Sequence, residues 1–472
     1  MMQSADVLAA VIQQGGGERP ALVQGTQVLS YQGLQEQVWQ MAASLSKHGL
    51  GQGDRIALML PNGLNLVVGY LAAIHLGLTF IPVNPDLPKT THDYIKQVSR
   101  PHLVLDEKKL AELTREAMPP PAGHHAESVG IFFTSGTTGQ PKGVCHGFVN
   151  LLVNAHTFNQ LTGLGADCRM MHVFPMTYMA GFLNTVLSPL AAGGCVVLAP
   201  MFSPQFALHF WPYAISNQVN ALWLSPTMMA ILARLNRGRQ VATWAEGALH
   251  HLFVGTAPLS AAVRKSFQEN FSVTPLESYG MTETLLTSVN LPGQDWQPGS
   301  VGRLLPGISV IQQSETEQDG QLLVDTPFIM QGYLDPQDGS INTAQVPHPF
   351  PTGDMGYVTS AGDLLITGRL KDMIIRGGVN VSPRAVEEVL LVHQAVREAA
   401  VVGLPHDIWG EEVGAFVCLE DGWLPKQAEA ELMAYLKVNL PVDAVPGRMV
   451  FLQELPRNTT GKVLKHKLVD GA

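Results

Sequence analysis

The stretch "FFTSGTTGQPKGV" (residues 132–144) carries a strand-like apolar start into a run of glycine and hydroxyl residues that closes on Lys142. Successive backbone N–H groups in such a turn cradle an anion, hydroxyls add donors, and a lysine adds a point charge. The spacing differs from that of the usual nucleotide P-loop, in which a serine or threonine directly follows the lysine and holds Mg²⁺. Here Gly143 follows Lys142. The loop therefore predicts phosphate binding of a kind that differs from that of a kinase or GTPase.

Apolar, strand-sized runs alternate with helical patterns on both sides of this loop. The runs "IFFTSG" (131–136), "CVVLAP" (195–200) and "HLFVGTAP" (251–258) end in turn residues, whereas "LNLVVGYLAAIHLG" (64–77) has a helical pattern. Such alternation indicates an α/β fold with mainly parallel sheets. Ligands in these folds gather beyond the carboxyl ends of the strands, which is where the glycine-rich loop stands.

A second region begins near Ser382, which with Pro383 predicts the start of a helix. We expect Ser382 to be its N-cap residue and Val386, Val389 and Leu390 to share its buried face. The residues from there to the C-terminus suffice for a separate small domain.

Composition narrows the class of protein. The chain has 472 residues, of which 14% are charged, and a net charge of −10 without a basic stripe, so nucleic acid is not expected as a partner. Residues 170–233 contain no Asp, Glu, Lys or Arg, but prolines and glycines interrupt them, so we expect buried strands and helices rather than a membrane span. The N-terminus lacks the basic start of a signal peptide. Four cysteines without metal-like spacing predict buried thiols and a cytoplasmic location.

Four further motifs combine with the loop. They are "ESYGMTE" (277–283), "TGD" (352–354), "GRLKD" (368–372) and "PRNTTGKVLK" (456–465). Taken singly, each has an ordinary interpretation: Tyr279 as a core aromatic, Glu283 as a helix cap, Asp354 as a turn residue, Arg369 as a surface ion-pair partner and Lys462 as a solvated lysine. As an ordered set they favour a site that binds a nucleotide.

The ordered motifs resemble those of the adenylate-forming superfamily, which includes acyl-CoA synthetases, aryl-CoA ligases and adenylation domains. "VGTAPLS", "YGMTE", "IMQGYL", "TGDMGY" and "PRNTTGK" carry the resemblance over nearly the whole chain. It implies that a carboxylate attacks the α-phosphorus of ATP, which releases pyrophosphate and gives an acyl-adenylate, and that a thiol then takes the acyl group. The implied cofactors are ATP, Mg²⁺ and coenzyme A.

The resemblance also implies a role for each motif. The β- and γ-phosphates would lie in the loop, against Thr134, Ser135, Gly136, Thr137, Thr138, Gly139 and Lys142. Thr282 would bind the α-phosphate, and Glu283 would hold Mg²⁺. The adenine would stack on Tyr279 beside Gly280, with Gly255, Thr256 and Ala257 as the opposite wall. Asp354, helped by Arg369, would accept from the ribose hydroxyls, and Lys462 would bridge the acid and the α-phosphate.

The resemblance implies two domains that move. Residues 1–370 would form a large N-terminal adenylation domain with several subdomains, and residues 371–472 a small, mobile α+β C-terminal lid that carries Lys462. Lys371 would be the hinge between an orientation for adenylation and one for thioester formation. After rotation, Gly377 and Gly378 would line the channel for the pantetheine arm.

The substrate side departs from the family pattern. Tyr178 stands where many members have a gating histidine, and Met179 stands where amino-acid-activating domains use an aspartate. Because methionine cannot pair with an ammonium group, an amino acid is disfavoured. An apolar or aromatic small carboxylic acid would fit a pocket that also includes Gly181 and Trp223, although Phe182, Met228 and Met229 are equally expected simply to fill the core.

Alternatives remain for the acceptor and for the class of protein. Coenzyme A is the first choice of thiol, and the phosphopantetheine arm of an acyl carrier protein is the close alternative. A P-loop NTPase or kinase would release ADP and phosphate instead of AMP and pyrophosphate. A non-catalytic binding protein on the same scaffold would have no need of Lys142, Glu283, Asp354, Arg369 and Lys462.

Overall fold

The computed structural model describes residues 16–113, 128–134, 140–235, 239–294, 296–313, 320–457 and 463–469. These residues form three β-sheets with helices packed on them. The two large sheets belong to the first 370 residues, and the third, smaller sheet follows them in the chain. The expected α/β class, with a large N-terminal domain and a smaller C-terminal domain, is confirmed.

The largest sheet contains thirteen of the described strands. Numbered in chain order with all other strands, they are β1 (Pro20–Gln24), β2 (Gln27–Ser30), β8 (Arg169–His172), β9 (Cys195–Leu198), β10 (Ala221–Leu224), β11 (His251–Val254), β12 (Leu276–Met281), β13 (Leu285–Val289), β14 (Ser300–Leu304), β15 (Ser309–Gln313), β16 (Gly320–Asp325), β19 (Phe350–Val358) and β20 (Asp363–Arg369). Their spatial order is β15-β16-β19-β20-β14-β13-β12-β11-β10-β8-β9-β1-β2.

This sheet is mixed, whereas the sequence led us to expect mainly parallel strands. Strands β1, β9, β8, β10, β11 and β12 pair in parallel with one another, and β2 pairs antiparallel with β1 at the edge. From β12 to β15 every pair is antiparallel. The described residues of this second half contain no helix between their strands. Without a crossover helix, consecutive strands fold back on each other, and antiparallel pairing results.

The second sheet positions the glycine-rich loop. Its strands are β3 (Arg55–Leu58), β4 (Thr79–Pro82), β5 (Leu103–Leu105), β6 (Val129–Thr134), β7 (Lys142–Gly147), β17 (Gly332–Leu334) and β18 (Ile341–Asn342). Strands β4 and β6 are parallel, and β6 and β7 are antiparallel. The loop therefore leaves the carboxyl end of β6, as the sequence predicted, and returns as a strand.

Helices flank the sheets, and several begin at a residue with a clear capping role. They are α1 (Tyr31–Lys47), α2 (Leu64–His75), α3 (Lys89–Ser99), α4 (Glu107–Glu112), α5 (Phe148–Thr162), α6 (Ser188–Ala191), α7 (Pro204–Ala207), α8 (Phe210–Ser216), α9 (Pro226–Leu235), α10 (Arg239–Ala248), α11 (Ala261–Phe271), α12 (Pro383–Val392), α13 (Pro425–Asn439) and α14 (His466–Val469), with a π-helix over Ala180–Leu187. The hydroxyls of Ser30 and Ser260 accept from backbone N–H groups in the first turns of α1 and α11. Within the described parts of the chain, no helix is long and apolar enough to cross a membrane.

The third sheet and helices α12 and α13 form the small C-terminal unit. Its strands are β21 (Ile374–Arg376), β22 (Val379–Val381), β23 (Val396–His406), β24 (Gly410–Leu419) and β25 (Arg448–Phe451). Helix α12 begins at Pro383 and buries Val386 and Leu390, as predicted. Ser382 precedes it, but its hydroxyl does not cap the helix. It donates instead to the carbonyl oxygen of Thr367, at 2.9 Å.

The uncharged segment of residues 170–233 lies inside the large domain. Strands β9 and β10 are buried at every residue. All four cysteines are buried free thiols, as expected: Cys145, Cys168, Cys195 and Cys418. Apolar burial on this scale is the main stabilising contribution in a domain of this size.

Candidate active site

The glycine-rich loop connects two hydrogen-bonded strand ends. Thr134, the last residue of β6, pairs with Lys142, the first residue of β7. Residues Ser135, Gly136, Thr137, Thr138 and Gly139 lie outside the described residues. The Lys142 ammonium group lies 5.6 Å from the centroid of the Tyr333 ring, a cation–π contact. Lys142 is itself exposed, so its charge faces the open side of the hairpin.

Tyr333 connects the loop to the "YGMTE" motif. Its hydroxyl donates to Glu283 Oε1 at 2.9 Å. Burial and the neighbouring Glu283 charge raise the pKa of Tyr333, which therefore stays a protonated donor. Tyr333 belongs to the "IMQGYL" motif, from which no role for its side chain was predicted. Fifty residues separate it from Glu283, so only the fold brings the two together.

A buried histidine, His146, binds the backbone carbonyl oxygen of Thr282. The His146 ring places Nε2 2.7 Å from the Thr282 carbonyl oxygen. Burial lowers the pKa of His146 to about 4. The ring is therefore neutral near pH 7, and Nε2 carries the proton that it donates to this oxygen. Thr282 itself is buried, with 8% of its surface exposed. His146 was also not predicted from the sequence, because its spacing to the other histidines is not that of a metal-binding or catalytic motif.

A second group of polar side chains surrounds Asp354. Tyr279 donates its hydroxyl to Asp354 Oδ2 at 2.6 Å, and Arg369 donates from Nε to Oδ1 at 2.8 Å. Asp354 and Arg369 are paired across the neighbouring strands β19 and β20, and Asp354 is 4% exposed. A carboxylate has about four lone-pair positions, so two remain after these bonds. The group is therefore able to accept two more hydroxyl donors.

Backbone geometry constrains the turn of residues 255–257 and its neighbour Gly280. A Cβ atom at Gly255 would lie 2.9 Å from Ser278 Oγ, and one at Gly280 only 2.2 Å from the Leu285 carbonyl oxygen. Thr256 has a φ of +71°, a conformation that costs a β-branched residue about 1–3 kcal/mol. Ala257 follows it, half-buried. Such backbone strain clusters at ligand sites, so the turn stays a candidate for the wall that the resemblance implies.

Tyr178 is half-buried, in the segment just before the π-helix. Burial and the charge of Glu283 raise the pKa of the Tyr178 hydroxyl, whereas the charge of Arg369 lowers it, and the phenol therefore stays protonated near pH 7. The segment that carries it is held by Asn62, which accepts from the Met176 N–H at 2.9 Å and donates to the Phe174 carbonyl oxygen at 2.6 Å.

The remaining substrate-side residues are packed in the interior. Met179 and Phe182 are 6% and 1% exposed, and Met228 and Met229 are 8% and 0% exposed. Trp223 is fully buried between Phe158 and Phe253, with ring centroids 5.2 and 4.9 Å away. Its Nε1 atom has no hydrogen-bond partner among the described residues. The geometry is compatible with a pocket wall and with core packing alike.

Gly181 allows the tight turn that places Tyr178. A Cβ atom at this position would lie 2.0 Å from the Pro175 carbonyl oxygen, a backbone atom. We expect Gly181→Ala to destabilise the protein by about 1–3 kcal/mol, because overpacking against backbone forces the turn to shift. Thermal unfolding followed by circular dichroism measures this. Gly247→Ala is the control, because it lies in helix α10 with nothing within 4 Å of its Cβ, and we expect it to unfold at the same or a higher temperature. Equal melting temperatures for both variants would contradict the close packing at Gly181.

The remaining predicted residues lie in the C-terminal part. Lys371 is exposed in a 3₁₀ turn over Leu370–Asp372, between β20 and β21. Gly377 and Gly378 have φ of +57° and +88° in the turn between β21 and β22. Lys462 lies outside the described residues. Arg457, five positions earlier, donates to Thr227 Oγ1 at 3.0 Å and so joins the "PRNTTGK" motif to helix α9.

The arrangement can bind a molecule with two different ends. One end offers hydroxyl, ammonium and carboxylate groups from Thr282, Lys142 and Glu283, which suit phosphate and a cation. The other end offers the Asp354 carboxylate, which suits neighbouring hydroxyls. Apolar residues lie beside the gap, near Tyr178.

Comparisons with known proteins agree with this geometry. The family model of the AMP-binding enzyme matches residues 9–334, and that of the AMP-binding enzyme C-terminal domain matches residues 385–462. The chain is 30% identical to a 2-succinylbenzoate–CoA ligase of Bacillus licheniformis, over 96% of each chain. It is 29% identical to a sulfoacetate–CoA ligase of Cupriavidus necator, over 94% of this chain and 92% of the relative. A solved o-succinylbenzoate CoA synthetase of Bacillus subtilis, in complex with its acyl-adenylate intermediate, superposes with a TM-score of 0.81 at 26% identity, over 97% of each chain.

Proposed function

This chain belongs to the AMP-binding enzyme family and is an AMP-forming carboxylate–CoA ligase; from that premise we propose how its residues divide the reaction and which acids it accepts. In the first half-reaction, the acid's carboxylate oxygen bonds to the α-phosphorus of ATP and pyrophosphate leaves. In the second, the thiol sulfur of coenzyme A bonds to the acyl carbon, AMP leaves and the thiol proton is released. The observation that supports the assignment best is the Asp354 group, in which Tyr279 and Arg369 each donate to one oxygen of a buried carboxylate.

We propose that the Asp354 group binds the ribose. Its two remaining lone-pair positions match two neighbouring hydroxyls, and Arg369 holds the carboxylate in place at 2.8 Å. The Tyr279 ring then lies beside the adenine, with the strained turn of Gly255, Thr256 and Ala257 as the other wall. In this arrangement, the Tyr279 hydroxyl donates to Asp354 while the ring stacks on the adenine base.

The phosphate end is proposed to act by electrostatic stabilisation. Thr282, fixed through its carbonyl oxygen by His146, donates its hydroxyl to the α-phosphate, and Lys142 with the glycine-rich loop binds the departing pyrophosphate. Donors that are already in place stabilise the charge that develops in the transition state. Lys462, from the sequence, is proposed to neutralise the α-phosphate and the acid's carboxylate together.

Mg²⁺ is proposed to accompany ATP and to contact Glu283. The described residues contain no group of three metal-ligating side chains. Mg²⁺ is commonly held by one or two carboxylates together with substrate phosphates, so a single carboxylate at this place suits it. Tyr333 takes one lone pair of Glu283 Oε1, which leaves the other oxygen for the cation. The ion would supply charge neutralisation to the phosphate oxygens.

We propose that the acid carries a single acidic group. The named relatives act on sulfoacetate and 2-succinylbenzoate, both of which carry a second one. In this chain residues 170–233 include no Lys or Arg, and His172 in their midst has its pKa lowered by burial to about 4. A second anionic group in that apolar surrounding would be buried without a cation, at a cost of several kcal/mol. An aliphatic or aromatic monocarboxylate avoids this cost.

A panel of acids tests the proposal. Pyrophosphate release is measured with short and medium fatty acids, benzoates, malonate, sulfoacetate, 2-succinylbenzoate and amino acids, and AMP is quantified alongside. Monocarboxylates are expected to turn over fastest. Turnover confined to the diacids would overturn the single-charge proposal, and turnover confined to amino acids would overturn the interpretation of Met179. ADP with phosphate as the products would instead indicate a P-loop NTPase.

The acceptor is coenzyme A, because the matched relatives are CoA ligases. Thioester formation with coenzyme A, compared with a phosphopantetheinylated carrier protein, is the direct measurement. We also propose that the protein works in the reducing cytoplasm, since its four cysteines are buried free thiols.

We propose that the chain divides at Lys371 into the 1–370 and 371–472 domains and that Lys371 is the hinge. In the present structure the Met373 N–H donates to the Leu370 carbonyl oxygen, which places Lys371 second in a four-residue turn. Proline is favoured at that position. Lys371→Pro is therefore expected to preserve this turn and to prevent the rotation, so that pyrophosphate exchange persists while thioester formation slows by more than about tenfold. The two half-reactions are assayed separately, and equal losses in both would contradict a hinge role.

A further inference from the structure

Helix α12 attaches the C-terminal unit to the large domain through three polar contacts. Ser382 Oγ donates to the Thr367 carbonyl oxygen at 2.9 Å, and Arg384 Nη1 donates to the Ile366 carbonyl oxygen at 2.8 Å. Glu388 Oε2 accepts from the Ala261 N–H, the first residue of helix α11, at 3.3 Å. All three partners precede the proposed hinge, so the contacts cross from one proposed domain to the other.

The contacts lie beside a buried carboxylate that the mechanism does not use. Glu277 is 2% exposed, and its Oε1 accepts from the Leu259 N–H at 3.1 Å. Its Oε2 is buried and has no hydrogen-bond partner within the described part of the chain. Burial raises the pKa of Glu277 to about 7 against the lowering charges of Arg384 and Arg264, while Glu388 adds to the rise.

Arg384 is the cation of the C-terminal unit whose charge lowers the pKa of Glu277. Its side chain is 12% exposed and lies 3.9 Å from Glu388 Oε1, measured from Nε. Its Nη2 is buried without a partner among the residues described. By contrast, Arg264 is already bound within the large domain, where it donates to the Pro275 carbonyl oxygen and stacks on Trp296. Buried charges need opposite charges, and separating this set would leave Glu277 poorly compensated.

In the orientation that these contacts hold, Arg457 lies against the large domain. Arg457 bonds Thr227 across the two domains and also pairs with Glu398 at 2.7 Å within its own. The turn of Gly377 and Gly378 is exposed, and the Gly377 N–H donates to the Trp409 carbonyl oxygen in the C-terminal unit. Under the proposed function, this is the orientation for adenylate formation.

We propose that Arg384 and Glu388 form a latch between the domains, anchored on the Ile366 carbonyl oxygen and on the start of helix α11, that holds the lid in the adenylation orientation. They are positioning residues, since they touch neither substrate nor nucleotide. The latch must open before the thioester half-reaction. Weakening the latch is therefore expected to slow adenylate formation and to leave the rate of thioester formation unchanged or higher. This proposal rests on the proposed function.

Two half-reaction assays test the latch. Arg384→Met and Glu388→Gln are each expected to slow acid-dependent pyrophosphate exchange by about 10- to 100-fold, the effect of losing one charged hydrogen bond. Thioester formation from the synthetic acyl-adenylate of the best acid in the panel and coenzyme A is expected to stay unchanged or to rise. The double variant is expected to lose less than the product of the two single losses, because both act through one contact.

An exposed ion pair between the same two domains provides a matched control. Glu420 pairs with Arg234 at 2.5 Å, but both side chains are more than 40% exposed. Glu420→Gln is therefore expected to change neither half-reaction by more than about twofold. Unchanged pyrophosphate exchange in both latch variants would overturn the proposal. So would equal losses in both half-reactions with a lowered melting temperature, which indicate a purely structural role. If the unaltered protein formed no AMP with any acid, the proposed function itself would fail.

Discussion

Replacing Asp354 with asparagine is expected to lower kcat/KM for ATP in pyrophosphate release by roughly 100- to 1000-fold, the equivalent of about two charged hydrogen bonds. The amide keeps the shape of the side chain but has one acceptor oxygen instead of two. Arg369 then loses its anion, and the proposed ribose loses an acceptor. Because AMP stays bound through both half-reactions, we expect both to suffer. Steady-state assays at varied ATP concentration, together with calorimetric AMP binding, measure the change.

Asp363 offers the control for this substitution. It begins strand β20, which pairs with the strand of Asp354, and it forms an ion pair with its own arginine, Arg303, at 2.8 Å. Asp363→Asn should leave kcat/KM within about threefold, as is usual for a partly exposed ion pair. A fall of the same size in both variants would show that Asp354 acts through the stability of the hairpin. A fall below threefold in Asp354→Asn would contradict its nucleotide role.

Lys462→Ala is expected to slow adenylate formation by roughly 1000-fold, in line with the removal of one donor that stabilises transition-state charge. The acid's carboxylate and the α-phosphate are both anionic, and without a cation between them they repel each other. Consumption of a synthetic acyl-adenylate by coenzyme A needs no such bridge. It is expected to persist within about threefold of the unaltered protein.

Lys467 is the matched lysine for this experiment. It lies five positions further on in helix α14 and is exposed. Lys467→Ala should leave both half-reactions unaltered. If Lys462→Ala instead lost both half-reactions equally, the lysine would not be specific to adenylation.

The local elements were well predicted from the sequence, because their signals are local. Ser382 followed by Pro383 predicted the start of helix α12, and the apolar positions Val386 and Leu390 predicted its buried face. The strand before the glycine-rich loop was predicted in the same way. What the sequence could not show was the role of the Ser382 hydroxyl. Its partner, the Thr367 carbonyl oxygen, is available only after two domains meet.

Only those residues of the candidate site that belong to recognisable sequence motifs could be predicted. Tyr279, Asp354 and Arg369 stood in motifs, and the fold brings them into direct contact. Tyr333 and His146 were missed, since their bonds to Glu283 and Thr282 join distant positions in the chain. The share of parallel strand pairs was overestimated, because a short apolar run does not show the direction in which its strand pairs with a neighbour. The roles of Ser135 to Gly139 and of Lys462 stay predictions, because these residues lie outside the part of the chain that the structure describes.

Residues 170–233, which contain no charged side chain and which we propose surround the acid, limit how the acid specificity of this enzyme could change during evolution. Strands β9 and β10 are buried at every residue, and His172 beside them is bound to Thr185 at 2.6 Å. A lysine or arginine introduced there would be buried alone whenever no diacid was bound, at a cost of several kcal/mol. Changes in side-chain volume cost less per step. A lineage with this interior is therefore free to drift in the size of its substrate, whereas a change in substrate charge requires at least two compensating substitutions at once.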